Sequence, residues 1–282
     1  MVSLVGCASG GTYAYAVEPT WLEINRHRVF LPQLPAACAG LRIAQLTDLH
    51  HSELLGRKYV EAVFEKLMQE RPDLIAITGD FITGFRGDYT DHRRRNGDFF
   101  LEEISEMLAS LKAPLGVWAS LGNHDFWYDA KRVTDILSQR GGVRVLRDEN
   151  ARIEYGDSHF SLIGITDLWS EPIRWDQALD GVGREECRIA MMHNPDGFGA
   201  AREHDLDLVM CGHTHGGQVR IPLLGPPILP IKHRRFAEGW FRFGRTQMYV
   251  NRGVGVIVIP VRFNCRPEVA IFELQRETEK VA

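Results

Sequence analysis

Five short polar motifs carry residue types that bind metal ions or move protons. In chain order they are Asp48-Leu49-His50, Gly79-Asp80, Gly122-Asn123-His124-Asp125, His193-Asn194-Pro195-Asp196 and Gly212-His213-Thr214-His215-Gly216-Gly217. The donors are carboxylate, carboxamide and imidazole, with no cysteine among them. Such an oxygen and nitrogen set suits divalent manganese, iron or zinc rather than a thiolate-bound centre. Asp48 and His50 are two residues apart, as are His213 and His215. An extended or turning chain can aim both members of such a pair at a shared ion. The glycines let backbone approach without side-chain clash. A lone Gly-Asp is usually a turn; five such clusters, each just after an apolar run, are not explained by turns.

The apolar runs read as strands: 41–47, 74–78, 116–121, 188–192 and 206–211. Between the early ones lie amphipathic stretches. Residues 57–70 read as a helix with Val60, Val63, Phe64 and Leu67 on one face, stopped at Arg71-Pro72-Asp73. A second helix is expected over 98–111, with Phe100, Ile104, Met107, Leu108 and Leu111 inward, and a third over 129–140, with Asp129 as its N-cap. Shorter strands follow at 151–155, 159–165, 247–250 and 269–274. Strand–helix–strand alternation implies an α/β fold with buried sheet, whose sites gather beyond the carboxyl ends of the strands.

The chain has 282 residues, 44% hydrophobic and 25% charged, with a net charge of -4. This excludes a collagen, a disordered tail and a small disulfide scaffold. The mildly acidic balance argues against nucleic acid as a partner. Cys7, Cys38, Cys187, Cys211 and Cys265 form no C-x-x-C and read as buried small side chains. Residues 1–38 are expected to be a separate N-terminal segment, a remnant of a membrane anchor, ahead of one domain over 39–282. No stretch there reaches the roughly 20 apolar residues that span a bilayer. Leu4-Val5-Gly6-Cys7 resembles a lipoprotein cleavage box, with chance as the competing reading.

The motif order D-x-H, G-D, G-N-H-D, a lone His and G-H-x-H resembles the calcineurin-like metallophosphoesterase superfamily, over residues 48–215. The flanks, Glu18-Pro19-Thr20-Trp21 with Arg26-His27-Arg28 and Tyr249 to Asn264, resemble a bacterial branch. That branch holds membrane-associated phosphodiesterases and UDP-2,3-diacylglucosamine pyrophosphohydrolases of lipid A assembly. The resemblance implies a four-layer α-β-β-α sandwich of two mixed sheets and two divalent metal ions, manganese first and iron or zinc after it. One ion would be held by Asp48, His50, Asp80 and His215, the other by Asp80, Asn123, His193 and His213, with a water or hydroxide between them as nucleophile. His124 is implied as acid or electrostatic stabiliser, and Asp125 either orients His124 or supports the fold. Asp48 and Asp80 would leave the site with net positive charge, which favours a phosphate anion.

The segment after Asp80 runs Phe81-Ile82-Thr83-Gly84, without the Asp-Arg-Gly extension of the Ser/Thr protein phosphatases. This argues against that activity and leaves His124 without its usual aspartate. His51 and Arg252 are candidates to touch substrate, with an exposed or supporting histidine as the preferred reading of His51. The apolar stretch 221–231, followed by Lys232, Arg234 and Arg235, either suits a lipid-linked phosphate substrate or covers a sheet edge. Arg93-Arg94-Arg95 is a solvated run or a guide for an anionic headgroup. The expected reaction is hydrolysis of a phosphodiester or pyrophosphate bond, with UDP-2,3-diacylglucosamine as a candidate substrate. A phosphomonoesterase and a non-catalytic metal-binding scaffold are the alternatives. The expected location is the bacterial cytoplasmic membrane, with the cytoplasm as the alternative.

Overall fold

The computed structural model describes residues 10–85 and 91–277, without the side chains of 91–95. The Leu4–Cys7 motif and the side chains of Arg93, Arg94 and Arg95 therefore lie outside the described residues. Two six-stranded mixed sheets stack face to face. The first runs β1 (Glu23–Leu31), β12 (Glu268–Arg276), β2 (Arg42–Leu46), β3 (Leu74–Thr78), β4 (Val117–Ser120) and β5 (Arg144–Val145). The second runs β10 (Gly239–Phe243), β11 (Thr246–Val250), β9 (Leu208–Cys211), β8 (Arg188–Met192), β7 (Ser158–Ile165) and β6 (Glu149–Tyr155). The inner strands β2 to β5 pair in parallel, as do β7, β8, β9 and β11.

Side-chain alternation explains the layers. Along β3, Leu74 and Ala76 face the second sheet, while Ile75 and Ile77 face the helices. Both faces are dry, so the strand reads as a continuous apolar run. The core between the sheets includes Trp118, Phe160, Met191, Met210 and Phe272. An outer core packs α2 (Arg57–Gln69), α3 (Asp91–Leu108) and α4 (Asn123–Gln139) on the first sheet. Another packs the short helices α5 (Trp175–Ala178) and α6 (Phe198–Ala201) on the second. The short helix α1 spans 10–16. This is the four-layer arrangement expected.

Two elements differ from the sequence reading. Residues 23–31, expected outside the main domain, form the edge strand β1, and Val29, Leu31, Leu34 and Cys38 are buried in the inter-sheet core. Helix α4 starts at Asn123 rather than 129. Asp129 leaves the helical region at φ -175° and ψ 97°, and its Oδ1 accepts the Arg132 N–H at 3.0 Å. It therefore caps the second half of a kinked helix. Cys38, Cys187, Cys211 and Cys265 are buried free thiols.

Candidate metal centre

The five polar motifs meet where strands of both sheets end. Asp48 and His50 follow β2, Asp80 follows β3, and Asn123 and His124 open α4 after β4. His193 follows β8, and His213 and His215 follow β9. All seven expected ligands are buried. Three overlapping donor groups result: Asp48 with His50 and His215, His50 with Asp80 and His124, and Asp80 with His193 and His213. Asp80 Oδ2 lies 3.1 Å from His193 Nε2 and 3.4 Å from His50 Nε2. Asp48 Oδ1 lies 3.2 Å from His215 Nε2, and His193 Nε2 lies 3.3 Å from His213 Nδ1.

The backbone is held in an unusual state to do this. Asp48, His50, Asp80, His213 and His215 all occupy left-handed backbone, with φ from 42° to 70°. Such conformations cost non-glycine residues about 1–3 kcal/mol each and persist only where the surroundings over-determine them. Asp48 N–H donates to the Gly79 carbonyl and His50 N–H to the Asp80 carbonyl, both at 3.0 Å. His213 N–H donates to the Asp48 carboxylate and His124 N–H to Asp80 Oδ1. Gly122 admits no side chain: a Cβ there would lie 2.3 Å from Asp80 Oδ1.

Ring orientation is fixed from behind. His193 Nδ1 is 2.6 Å from the Thr78 carbonyl, so a proton there leaves Nε2 free for the cluster. His213 is turned the other way, with Nε2 2.9 Å from the Pro230 carbonyl and Nδ1 inward. Burial and the neighbouring His193 push His213 down to about 3. Burial likewise lowers His50 and His124. Burial opposes charge on His193, but Asp80 and Asp48 outweigh it and push that imidazole up to about 10. Burial also disfavours the Asp48 and Asp80 carboxylates, yet the surrounding histidines hold both below the ordinary range.

Among the described residues, two buried ligand atoms make no hydrogen bond: Asn123 Oδ1, and His50 Nε2 despite its ion-pair contact with Asp80. Unsatisfied polar atoms at such depth are costly. Two carboxylates, a carboxamide and four imidazoles converging there fit a pair of divalent cations.

The other expected site residues divide. His124 Nδ1 pairs with the Gly84 carbonyl, a backbone group standing where the sequence offered no aspartate. Asp125 makes no contact of this kind with His124. Its carboxylate accepts the backbone N–H groups of Asp80, Phe81 and Gly122 at 2.8, 2.9 and 2.9 Å. Of its two readings, support of the fold is the one this geometry fits. Burial and the Asp80 charge push Asp125 up to about 7, against the Gly122 and Phe81 N–H groups. His51 is buried beside the centre, its Nε2 2.6 Å from Glu103. Arg252, expected to touch substrate, is held by carboxylates. Its Nη2 lies 2.8 Å from Glu23, and its Nε lies 3.0 Å from Glu268 and 3.6 Å from Glu238, so the guanidinium is committed to three carboxylates.

Arg262 is a supporting residue the sequence reading did not single out. Fully buried, it donates to the carbonyls of Arg252, Gly253, Gly255 and Cys265. It thereby fixes the loop whose Gly253 backs onto Asp48, where a Cβ would lie 2.6 Å from the Asp48 Cβ. An arginine among apolar neighbours gave no signal of this, because its partners are all backbone.

A double-sheet sandwich with buried Asp, Asn and His clusters at its strand ends defines a metallophosphoesterase. Residues 41–217 match the family described as Calcineurin-like phosphoesterase, and the chain belongs to that family. It is a metal-dependent phosphoester hydrolase. The chain is 30% identical over 272 residues to phosphodiesterase YaeI of Escherichia coli (strain K12), covering 96% of this chain and 94% of that protein. It is 30% identical over 270 residues to the uncharacterized metallophosphoesterase YkuE of Bacillus subtilis (strain 168), covering 95% and 91%. To UDP-2,3-diacylglucosamine pyrophosphatase LpxG of Chlamydia trachomatis serovar D it is 24% identical over 313 residues, covering 92% and 91%.

Proposed function

We propose that the chain hydrolyses a phosphodiester or pyrophosphate bond of a lipid-linked substrate, with UDP-2,3-diacylglucosamine as the leading candidate. The observation that carries the reaction type is the sharing of Asp80 between two adjoining donor groups, Asp80-His193-His213 and His50-Asp80-His124. Asp48, His50, Asp80 and His215 would hold one cation; Asp80, Asn123, His193 and His213 would hold the other. Manganese suits this mixed donor set, with iron and zinc next. Bound there, two divalent cations supply Lewis-acid polarisation of phosphoryl oxygens and a hydroxide nucleophile at neutral pH.

The chain's own residues do the rest. Thr78 and Pro230 carbonyls fix the His193 and His213 rings. The Gly84 carbonyl fixes His124, which leaves Nε2 to face the reacting group and, once protonated, to stabilise or protonate the leaving oxygen.

Two observations support the lipid-linked reading. The relative LpxG is named for a diacylated substrate. The 221–231 loop, whose Pro230 carbonyl meets His213, exposes Leu223, Leu224 and Ile228, and the loop after β11 exposes Val258 and Ile259. Leu223 and Val258 even adopt left-handed backbone, at φ 68° and 65°. Exposed aliphatic tips of this kind suit a lipid surface; with the neighbouring Lys232, Arg234 and Arg235 they make the membrane the proposed place of action. Among the described residues no helix is long and apolar enough to cross one. The name of the relative YaeI favours a second reading, a phosphodiesterase of simpler diesters.

The test is manganese-loaded protein with UDP-2,3-diacylglucosamine beside bis-p-nitrophenyl phosphate, with UMP followed by mass spectrometry. UMP release supports the lipid-linked reading. Turnover of the simple diester alone selects the second reading, and no turnover of either removes both.

A further inference from the structure

A cavity of about 430 Å³ adjoins the centre. Its wall belongs to the two loops that carry His50 and Asp80. His51, Ser52, Glu53 and Leu54 come from the first, and Ile82, Thr83 and Phe85 from the second. Thr83 Oγ1 lies 3.3 Å from His50 Nδ1, so cavity and ligand shell share a wall. Phe100 of α3 closes one side, its ring edge-on to His51 at 5.3 Å. Val258 reaches over the rim from a third loop, 85% exposed and in left-handed backbone.

We propose that this cavity receives an apolar arm of the phosphoester substrate, an alkyl or acyl chain running from the reacting phosphate past Thr83 toward Phe100 and Val258. The proposal rests on the phosphoesterase reading above and adds where specificity resides. Its size falls within the range of small-molecule pockets, about 300–1,000 Å³. Its charge excludes the headgroup. Glu53 lines it, and Glu103 holds His51 Nε2 at the floor, so anionic phosphates are drawn to the cationic centre instead. Leu54, Ile82, Phe85, Phe100 and Val258 offer mainly dispersion and desolvation, which a hydrocarbon uses and a sugar or nucleobase does not. Val258 is the independent sign. A β-branched residue held at positive φ, a strained state, presents its methyl groups to water at the mouth, and an apolar partner would cover them.

The experiment has two readouts. Turnover of p-nitrophenyl n-alkyl phosphates from methyl to octyl is measured with manganese, and binding of n-alkyl phosphonates of the same lengths is measured by calorimetry. Both should rise with chain length, up to about fourfold for each fully buried methylene. The slopes should flatten in Leu54→Asp and in Val258→Asp. Aspartate tolerates positive φ better than valine, so the second variant keeps the test open if the first folds poorly. A flat slope in the parent, with bis-p-nitrophenyl phosphate still cleaved, overturns the subsite and spares the phosphoesterase reading. Slopes that persist in both folded variants also overturn it. A binding slope that both variants lose, without turnover of any ester, supports the subsite and sinks the reaction assignment.

Discussion

Replacing Asp125 by alanine would leave the buried N–H groups of Asp80, Phe81 and Gly122 without their acceptor. Each such loss costs about 1–3 kcal/mol, and one carboxylate serves all three, so the sum is less than additive. A loss of about 3–6 kcal/mol follows, a large part of a typical stability of about 5–15 kcal/mol. Asparagine should cost less, about 1–3 kcal/mol. Its one carbonyl oxygen, placed where Oδ2 stood, still accepts from Asp80 and Gly122, while its amide faces the Phe81 N–H donor to donor. That repulsion falls on Phe81, next to Asp80 in the chain, so it should shift the left-handed backbone of the shared ligand. Asp125→Asn should therefore lose about 100-fold in kcat/KM on bis-p-nitrophenyl phosphate while remaining folded. Urea unfolding followed by circular dichroism at neutral pH, with kinetics on the same preparations, reads both. An alanine variant within about 1 kcal/mol of the parent, or an asparagine variant with full turnover, would refute the reasoning.

Gly84→Ala should lower kcat by about 10- to 100-fold with metal content unchanged. Its Cβ would meet the His124 carbonyl oxygen at 2.0 Å and displace the group that orients the imidazole. Normal kcat in a folded variant would contradict this. Burial among Trp240, Tyr249 and Phe272 lowers His27, against the pull of Glu268. The unfolded chain takes up that proton near about pH 6.5, before the folded one does. Stability should therefore fall as pH drops through that value, and His27→Phe should flatten this part of the curve; an unchanged curve speaks against it.

The parts legible in the sequence were those whose environment is uniform along the element. Strands β3 and β8 are dry on both faces and read as unbroken apolar runs with the bounds observed. Helix α2 shows its buried stripe at Val60, Val63, Phe64 and Leu67. Edge strand β6 read over 151–155, but edge strands β1 and β10 did not: β1 exposes Arg26 and Arg28 and buries only Val29 and Leu31, and β10 buries none of its residues. At the site, the motif order pointed to the residues the fold brings together, because ligand types are side-chain chemistry. What supports them was hidden wherever backbone does the work, as with the Gly84 carbonyl at His124 and the carbonyls around Arg262. The ion pairs of Arg252 were hidden for another reason. The glutamates that claim it, at 23, 238 and 268, are brought to it by β1, the approach to β10 and β12, and nothing local announces them.

The central claim is that Asp80 joins two cation sites. Anomalous diffraction from crystals grown with manganese tests it most directly. Two peaks are expected, one among Asp48, His50 and His215 and one among His193, His213 and Asn123, both within bonding distance of Asp80. A single peak, or two peaks of which Asp80 touches only one, would contradict the account.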